Sequence, residues 1–185
     1  PNFVHRWEYS ADGRVLTLHL RKGLRWSDGH PLTAMDAAWH HRHVRLNDEL
    51  TPVISPRWLG AHVAAPDSHT VEFHFSRPRP FFVQELAHGG AGYFLPGHFL
   101  QDYHPDFVDR DELIERSEEA GFISWMAYFN AVNGERLSEP SGRPTLNAYY
   151  MVRKSPTLQV FERNPYYPKV DPQGRQLPYI DRIMN

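Results

Sequence analysis

His40-His41-Arg42-His43 is the densest run of metal-ligating groups in a chain of 185 residues that holds twelve histidines and no cysteine. On a helix, His40 and His43 stand three apart and can turn both imidazoles toward one ligand, which suits a first-row transition metal. A structural metal centre takes more ligands than two, and no cysteine or carboxylate stands at a matching spacing. The polar neighbours instead describe a solvated helix end carrying surface histidines. No resident metal or cofactor is expected. Nucleophilic chemistry has no footing either: the chain contains no G-x-S-x-G elbow, no H-E-x-x-H and no phosphate loop. Gly89-Gly90-Ala91-Gly92 lacks the spacing and βαβ context of a dinucleotide fingerprint, and reads as the end of a helix. Asp111, Glu112, Glu115, Glu118 and Glu119 recur at helical spacing, as a solvated helix face does. No catalytic residue is expected.

Aromatic rings are the remaining chemistry, at 14% of the chain. Trp58, Tyr93, Phe94, Trp125, Tyr128, Phe129, Tyr149 and Tyr150 mostly suit a core, since each ring buries a large apolar area. A minority can line a ligand cleft. Trp58 and Trp125, flanked by turn or cap residues, are the two expected there.

These groups need a scaffold, and its elements are legible. Leu16, Leu18 and Leu20 alternate with polar residues, the period of a strand with one buried face. Asp12-Gly13 before it and Ser27-Asp28-Gly29 after it are turn chemistry. Thr33 with Asp36 reads as a helix start, and the helix is expected to run to about residue 44. Residues 46–66 read as a proline-punctuated loop. Val71, Phe73 and Phe75 restore the strand period. Pro80 opens a helix with an apolar face of Phe81, Phe82, Val83, Leu86 and Ala87; residues 93–95 then look extended. Asp109 caps a helix to about residue 120, closed by Gly121, and Ser124 caps another broken at Asn133-Gly134. Residues 135–144 read as a loop, and 146–153 and 159–162 as strands meeting near Ser155. A loop over 166–178 contains the strong turn Asp171-Pro172-Gln173-Gly174. The class is α+β, mainly antiparallel sheet with packed helices.

Composition limits the functions available. A net charge of −2 with no basic stripe gives no electrostatic case for nucleic acid or anionic membrane. No apolar run approaches the ~20 residues that span a bilayer. Without cysteine there is no disulfide framework and no thiol chemistry. Residues 1–9 and 180–185 each read as a strand pattern cut off in progress, so the chain is expected to be a fragment.

The order Asp12-Gly13, Leu16-x-Leu18-x-Leu20-Arg21-x-Gly23, Trp26-x-Asp28-Gly29-x-Pro31-Leu32-Thr33-Ala34-x-Asp36 resembles family 5 of the bacterial extracellular solute-binding proteins. The later segments Asp67-x-x-Thr70, Pro78-x-Pro80-Phe81, Leu95-Pro96-x-His98 and Arg163-Asn164-Pro165-x-Tyr167 resemble it in the same order. The resemblance implies that residues 1–185 form a single partial lobe, part of lobe I of a two-lobe type II periplasmic-binding-protein fold. It also implies the substrate-binding component of an ABC importer, not an enzyme. Such a protein is an extracytoplasmic monomer, membrane-anchored in its complete form, that takes a small-molecule or peptide solute to a permease. Oligopeptides are the expected solute, with oligosaccharides or a sensor module as alternatives. Pro144-Thr145-Leu146-Asn147 stands where many peptide-type members carry a Gly-Pro-Tyr turn. Relatives carrying nickel or haem exist within the same family.

Overall fold

Leu16, Leu18 and Leu20 point into a core exactly because their neighbours do not: the strand's burial alternates residue by residue from Val15 to Leu20. The computed structural model describes residues 3–134 and 140–185, so part of the expected 135–144 loop lies outside the described residues. Strands β1 (Val4–Tyr9), β2 (Val15–Leu20), β3 (Ala61–Asp67) and β4 (Thr70–Phe75) form one antiparallel sheet in the order β1-β2-β4-β3. In the central pair, Leu16 faces Phe73 and Leu18 faces Val71. All of that inward face is buried, while the other face carries polar pairs such as His19 with Glu8 and His74 with Glu72.

Helix α1 (Ala34–Trp39) packs on β3 and β4, with Ala34 and Ala37 fully buried. The Asp36 carboxylate accepts the Thr33 backbone N–H at 2.9 Å, satisfying a donor that a helix start leaves open. The α-helix does not continue to residue 44 as expected. From His40 to Arg45 the backbone changes to a π-helical turn. The wider turn rotates each later side chain off the α-helical register, so spacing counted at 3.6 residues per turn no longer gives the facing. Helix α2 (Phe82–Gly89) follows β4, and a 3₁₀ turn over Gly90–Tyr93 takes the place of the extended start expected at Tyr93.

The second group of elements starts with a single helical turn, α3 (Gly97–Leu100), then α4 (Arg110–Glu119) and α5 (Trp125–Asn133). Both long helices start where the sequence puts them. The Asp109 carboxylate accepts the N–H groups of Asp111 and Glu112 at 3.0 and 3.2 Å, and Ser124 Oγ accepts from Ala127 at 3.2 Å. Strands β5 (Tyr149–Ser155), β6 (Leu158–Arg163) and β7 (Arg182–Met184) make a three-stranded antiparallel sheet in that order. The α+β reading holds in both groups.

Two compact units result. One comprises the residues up to Leu24 with Pro31–Leu95; the other comprises Arg25–His30 with Pro96–Asn185. The core of the first is Leu16, Leu20, Val71, Phe73 and Phe82; that of the second is Leu100, Leu113, Phe129 and Val132. Phe73 is fully buried on β4 and meets the rings of Trp58, Phe82 and Tyr93 at 6.3, 5.4 and 5.0 Å. Phe73→Ala is expected to lower the unfolding free energy by about 3–5 kcal/mol in urea denaturation, through lost transfer energy and the cavity left behind.

Candidate functional site

The short segment Arg25–His30 is a turn before it is anything else. Gly29 N–H donates to Trp26 O, and Trp26 N–H to His30 O, both at 2.9 Å. Gly29 holds a φ of +89°, and a Cβ there would lie 3.1 Å from the Tyr166 hydroxyl, so glycine is needed on both counts. Ser27 fastens this turn to the irregular segment that leads into β5. Its N–H donates to Thr145 O at 3.1 Å, and its Oγ accepts from the Thr145 N–H at 3.0 Å.

Asn164, fully buried, secures the same segment from the other side. Its Nδ2 donates to Asn147 O at 2.9 Å and Thr145 O at 3.3 Å, while its Oδ1 accepts from Tyr166 N–H at 2.9 Å. Its own N–H donates to Ala148 O at 2.9 Å. Residues 145–148 are thereby held without belonging to a sheet.

The framed segments border a recess of about 570 Å³ in the second unit. Ser27, Asp28, Arg143, Thr145 and Asn147 bring polar groups to it, and Tyr149, Tyr150, Met151 and Phe161 bring apolar surface. β5 is an edge strand of its sheet. Polar groups on a rigid frame beside aromatic rings suit a neutral or mixed polar solute. Among the described residues, the recess assembles no nucleophile with an adjacent general base.

Asp28 is the recess carboxylate. His98 Nε2 donates to its Oδ2 at 2.8 Å, the His30 N–H donates to Oδ1 at 2.9 Å, and the His30 ring stacks on His98 with centroids 3.9 Å apart. Burial pushes the carboxyl up, but the hydrogen bonds from His30 and His98 outweigh it and hold Asp28 below the usual aspartate range.

The residues singled out by sequence fall elsewhere. His40 and His41 are buried, a correction to their reading as surface histidines. His40 Nδ1 donates to Tyr93 O at 2.7 Å and His41 Nε2 to Ala61 O at 3.1 Å, so each spends a ring nitrogen on a backbone carbonyl. Burial pushes His41 below the usual histidine range, which keeps it neutral. The His43 ring lies 5.4 Å from that of Trp39. Trp58 is 4% exposed in the first unit, stacked on Tyr93 at 5.0 Å and edge-on to Phe82 at 5.2 Å. Trp125 is 3% exposed in the second unit, packed against His104 and Phe129. Neither indole lines the recess. Tyr149 and Tyr150, ranked by sequence no higher than the other aromatics, do. The signal available for them was their position, directly after a turn-forming segment and at the start of a strand.

Comparison with known proteins places this geometry. The family model described as "Bacterial extracellular solute-binding proteins, family 5 Middle" matches residues 1–184. A periplasmic alpha-galactoside-binding protein of Rhizobium meliloti is 32% identical over 190 residues, covering 99% of this chain and 25% of that protein. Among solved structures, an oligopeptide-binding protein OppA superposes with a TM-score of 0.90 and 34% identity, covering all of this chain and 29% of its own. MelB of Agrobacterium fabrum, in complex with stachyose, superposes with a TM-score of 0.75 at 28% identity over all of this chain and 26% of its own. The chain thus spans between a quarter and a third of the length of these relatives.

Two substitutions test the frame. Asn164→Ala strands the Asn147 carbonyl and the Tyr166 N–H, leaves the Thr145 carbonyl with Ser27 alone, and is expected to cost about 2–4 kcal/mol of stability, measured by denaturant unfolding. Because Asp28 is lowered in the folded state, its contribution is present above its unfolded value, near 3.8, and is lost as pH falls below that. Asp28→Asn is expected to flatten the acid limb of a plot of melting temperature against pH in that window, leaving the neutral limb parallel to that of the unsubstituted protein.

Proposed function

Since the chain belongs to family 5 of the bacterial extracellular solute-binding proteins, we propose that it forms part of the substrate-binding component of an ABC importer, capturing a solute outside the cytoplasmic membrane for delivery to a permease. The observation that carries this is the recess of about 570 Å³, where polar groups and tyrosines meet on a frame held by Ser27 and Asn164. A frame set by backbone hydrogen bonds presents its groups with little ordering cost, which favours binding. In such a protein the solute stabilises the closed form by its greater affinity for it. No catalytic role is assigned.

Residues 1–185 are read as a single partial lobe of the larger protein, with the two units as its compact subdivisions. The complete protein is proposed to be a membrane-anchored, extracytoplasmic monomer with no nucleic-acid partner. Trp58 and Trp125 enter the proposal as the packed rings behind their units' surfaces, with direct solute contact assigned to Asp28, Asn147, Tyr149 and Tyr150.

Oligopeptides are the first solute class, supported by the likeness to OppA over the whole chain. Oligosaccharides are the second, supported by the alpha-galactoside-binding relative and the stachyose complex. The rings of Tyr149 and Tyr150 suit a sugar face as well as a peptide side chain. A thermal-shift screen of the complete protein against pooled oligopeptides and pooled oligosaccharides decides between them, because a ligand that binds only the native state raises the melting temperature. A rise with one pool is expected and names the class. No rise with either overturns importer capture of these solutes and favours a ligand-sensing module.

A further inference from the structure

The segment that leads into the recess spends most of its backbone internally and keeps its side chains for a solute. Ser27 takes the Thr145 N–H and C=O, and Thr145 Oγ1 accepts the Asn147 N–H at 3.1 Å. Asn164 takes the Asn147 and Ala148 carbonyls. Asn147 itself is exposed, and among the described residues no hydrogen bond occupies its side-chain amide.

Asp28 is the rim group whose orientation is fixed. Its side chain is 39% exposed, and each carboxylate oxygen accepts one donor of the protein: Oδ2 from His98 Nε2 at 2.8 Å, Oδ1 from the His30 N–H at 2.9 Å. Neither donor residue lines the recess. An ionised carboxylate has about four acceptor positions, so roughly one on each oxygen is left for a solute. His98 is braced in turn. Its ring stacks on His30 with centroids 3.9 Å apart and planes 12° from parallel, and lies 6.2 Å from the ring of buried Trp26. Its Nδ1 is buried with no partner among the described residues, which leaves the ring proton on Nε2, where Asp28 receives it.

Two acceptor positions side by side on a fixed carboxylate match two adjacent O–H donors. The Asn147 amide adds donors and an acceptor to the same recess, and the Tyr149 and Tyr150 rings add apolar faces. Asp28 and Arg143 are the charged residues that line it, and their opposite signs leave no net charge to draw an ionic solute. Adjacent hydroxyls beside an apolar ring face, without net charge, describe a sugar ring.

We propose that Asp28 is the specificity-determining residue of the recess, taking two adjacent hydroxyl groups of a neutral oligosaccharide, and that His98 is its positioning residue. The inference rests on the solute-binding reading above and chooses between the two solute classes named there.

The test is isothermal titration of the complete protein with stachyose, maltotetraose and trialanine. At least one of the sugars is expected to bind about tenfold or more tightly than trialanine. Asp28→Asn, which keeps the size and loses the charge, is expected to weaken that sugar about tenfold or more, the scale of a charge-assisted contact. His98→Ala is expected to weaken it similarly, while His98→Gln, which keeps a donor in the place of Nε2, retains most of the affinity. Combined with Asp28→Asn, His98→Ala is expected to add little, because it acts through that carboxylate; a merely structural part for His98 predicts equal losses with and without Asp28→Asn. Sugar affinity that survives Asp28→Asn, or those equal losses, overturns the inference and leaves solute capture standing. Trialanine binding alone, or as tightly as the sugars, also overturns it and points to a peptide strand added along the open edge of β5. Failure of all three probes to bind overturns both readings.

Discussion

One buried amide carries the architecture around the recess. Asn164 is sealed from solvent, yet every polar atom of its side chain has a backbone partner on residues 145, 147 or 166. A segment outside a sheet has peptide groups that burial would leave unpaired, and each costs free energy comparable to a lost hydrogen bond. Asn164 supplies those partners from one side and Ser27 from the other. The recess-lining residues Thr145, Asn147 and Tyr149 therefore sit on backbone whose path is set by side chains distant in sequence. Asparagine is suited to this because one side chain holds two donors and an acceptor at fixed angles. Aspartate would turn a second acceptor toward carbonyls, and leucine would satisfy none of them.

The first unit follows a different logic. Its sheet separates an apolar face from a polar one by simple alternation, and the helices and Trp58 close over the apolar face. That much needs only hydrophobic burial. Arg45, and Arg57 with Arg79 about Glu85, run against it, because cations in a half-buried place lose hydration and repel one another. The aromatic faces of Trp58, Tyr93, Phe75 and Phe82 offset part of that cost by cation–π attraction. Aromatic content that composition assigns to core packing thus has a second use, as a mount for charge.

Local codes were legible along the chain. The β2 alternation, the Asp109 and Ser124 caps, the Gly121 stop and the Asp171 turn all appear where the sequence put them, because each is satisfied by residues within a few positions. The motif order that resembles family 5 was legible for the same reason, being made mostly of turns and caps. The π-helical turn was not. An apolar and polar period reads the same way into a π turn as into an α one until the later residues pack, and His40 and His41 were consequently assigned to solvent.

The sequence by itself determined the family, the α+β class, the element types and most of their ends, since these rest on short-range propensity and periodicity. Only the tertiary structure decided the burial of His40 and His41, the packing of Trp58 against Tyr93 and Phe82, the encounter of Asp28 with His98 and that of Arg57 with Glu85. Each of those depends on groups tens of residues apart meeting in a medium where an unpaired donor or charge is costly. Spacing along the chain does not encode which partner arrives, and burial is what makes the partner matter.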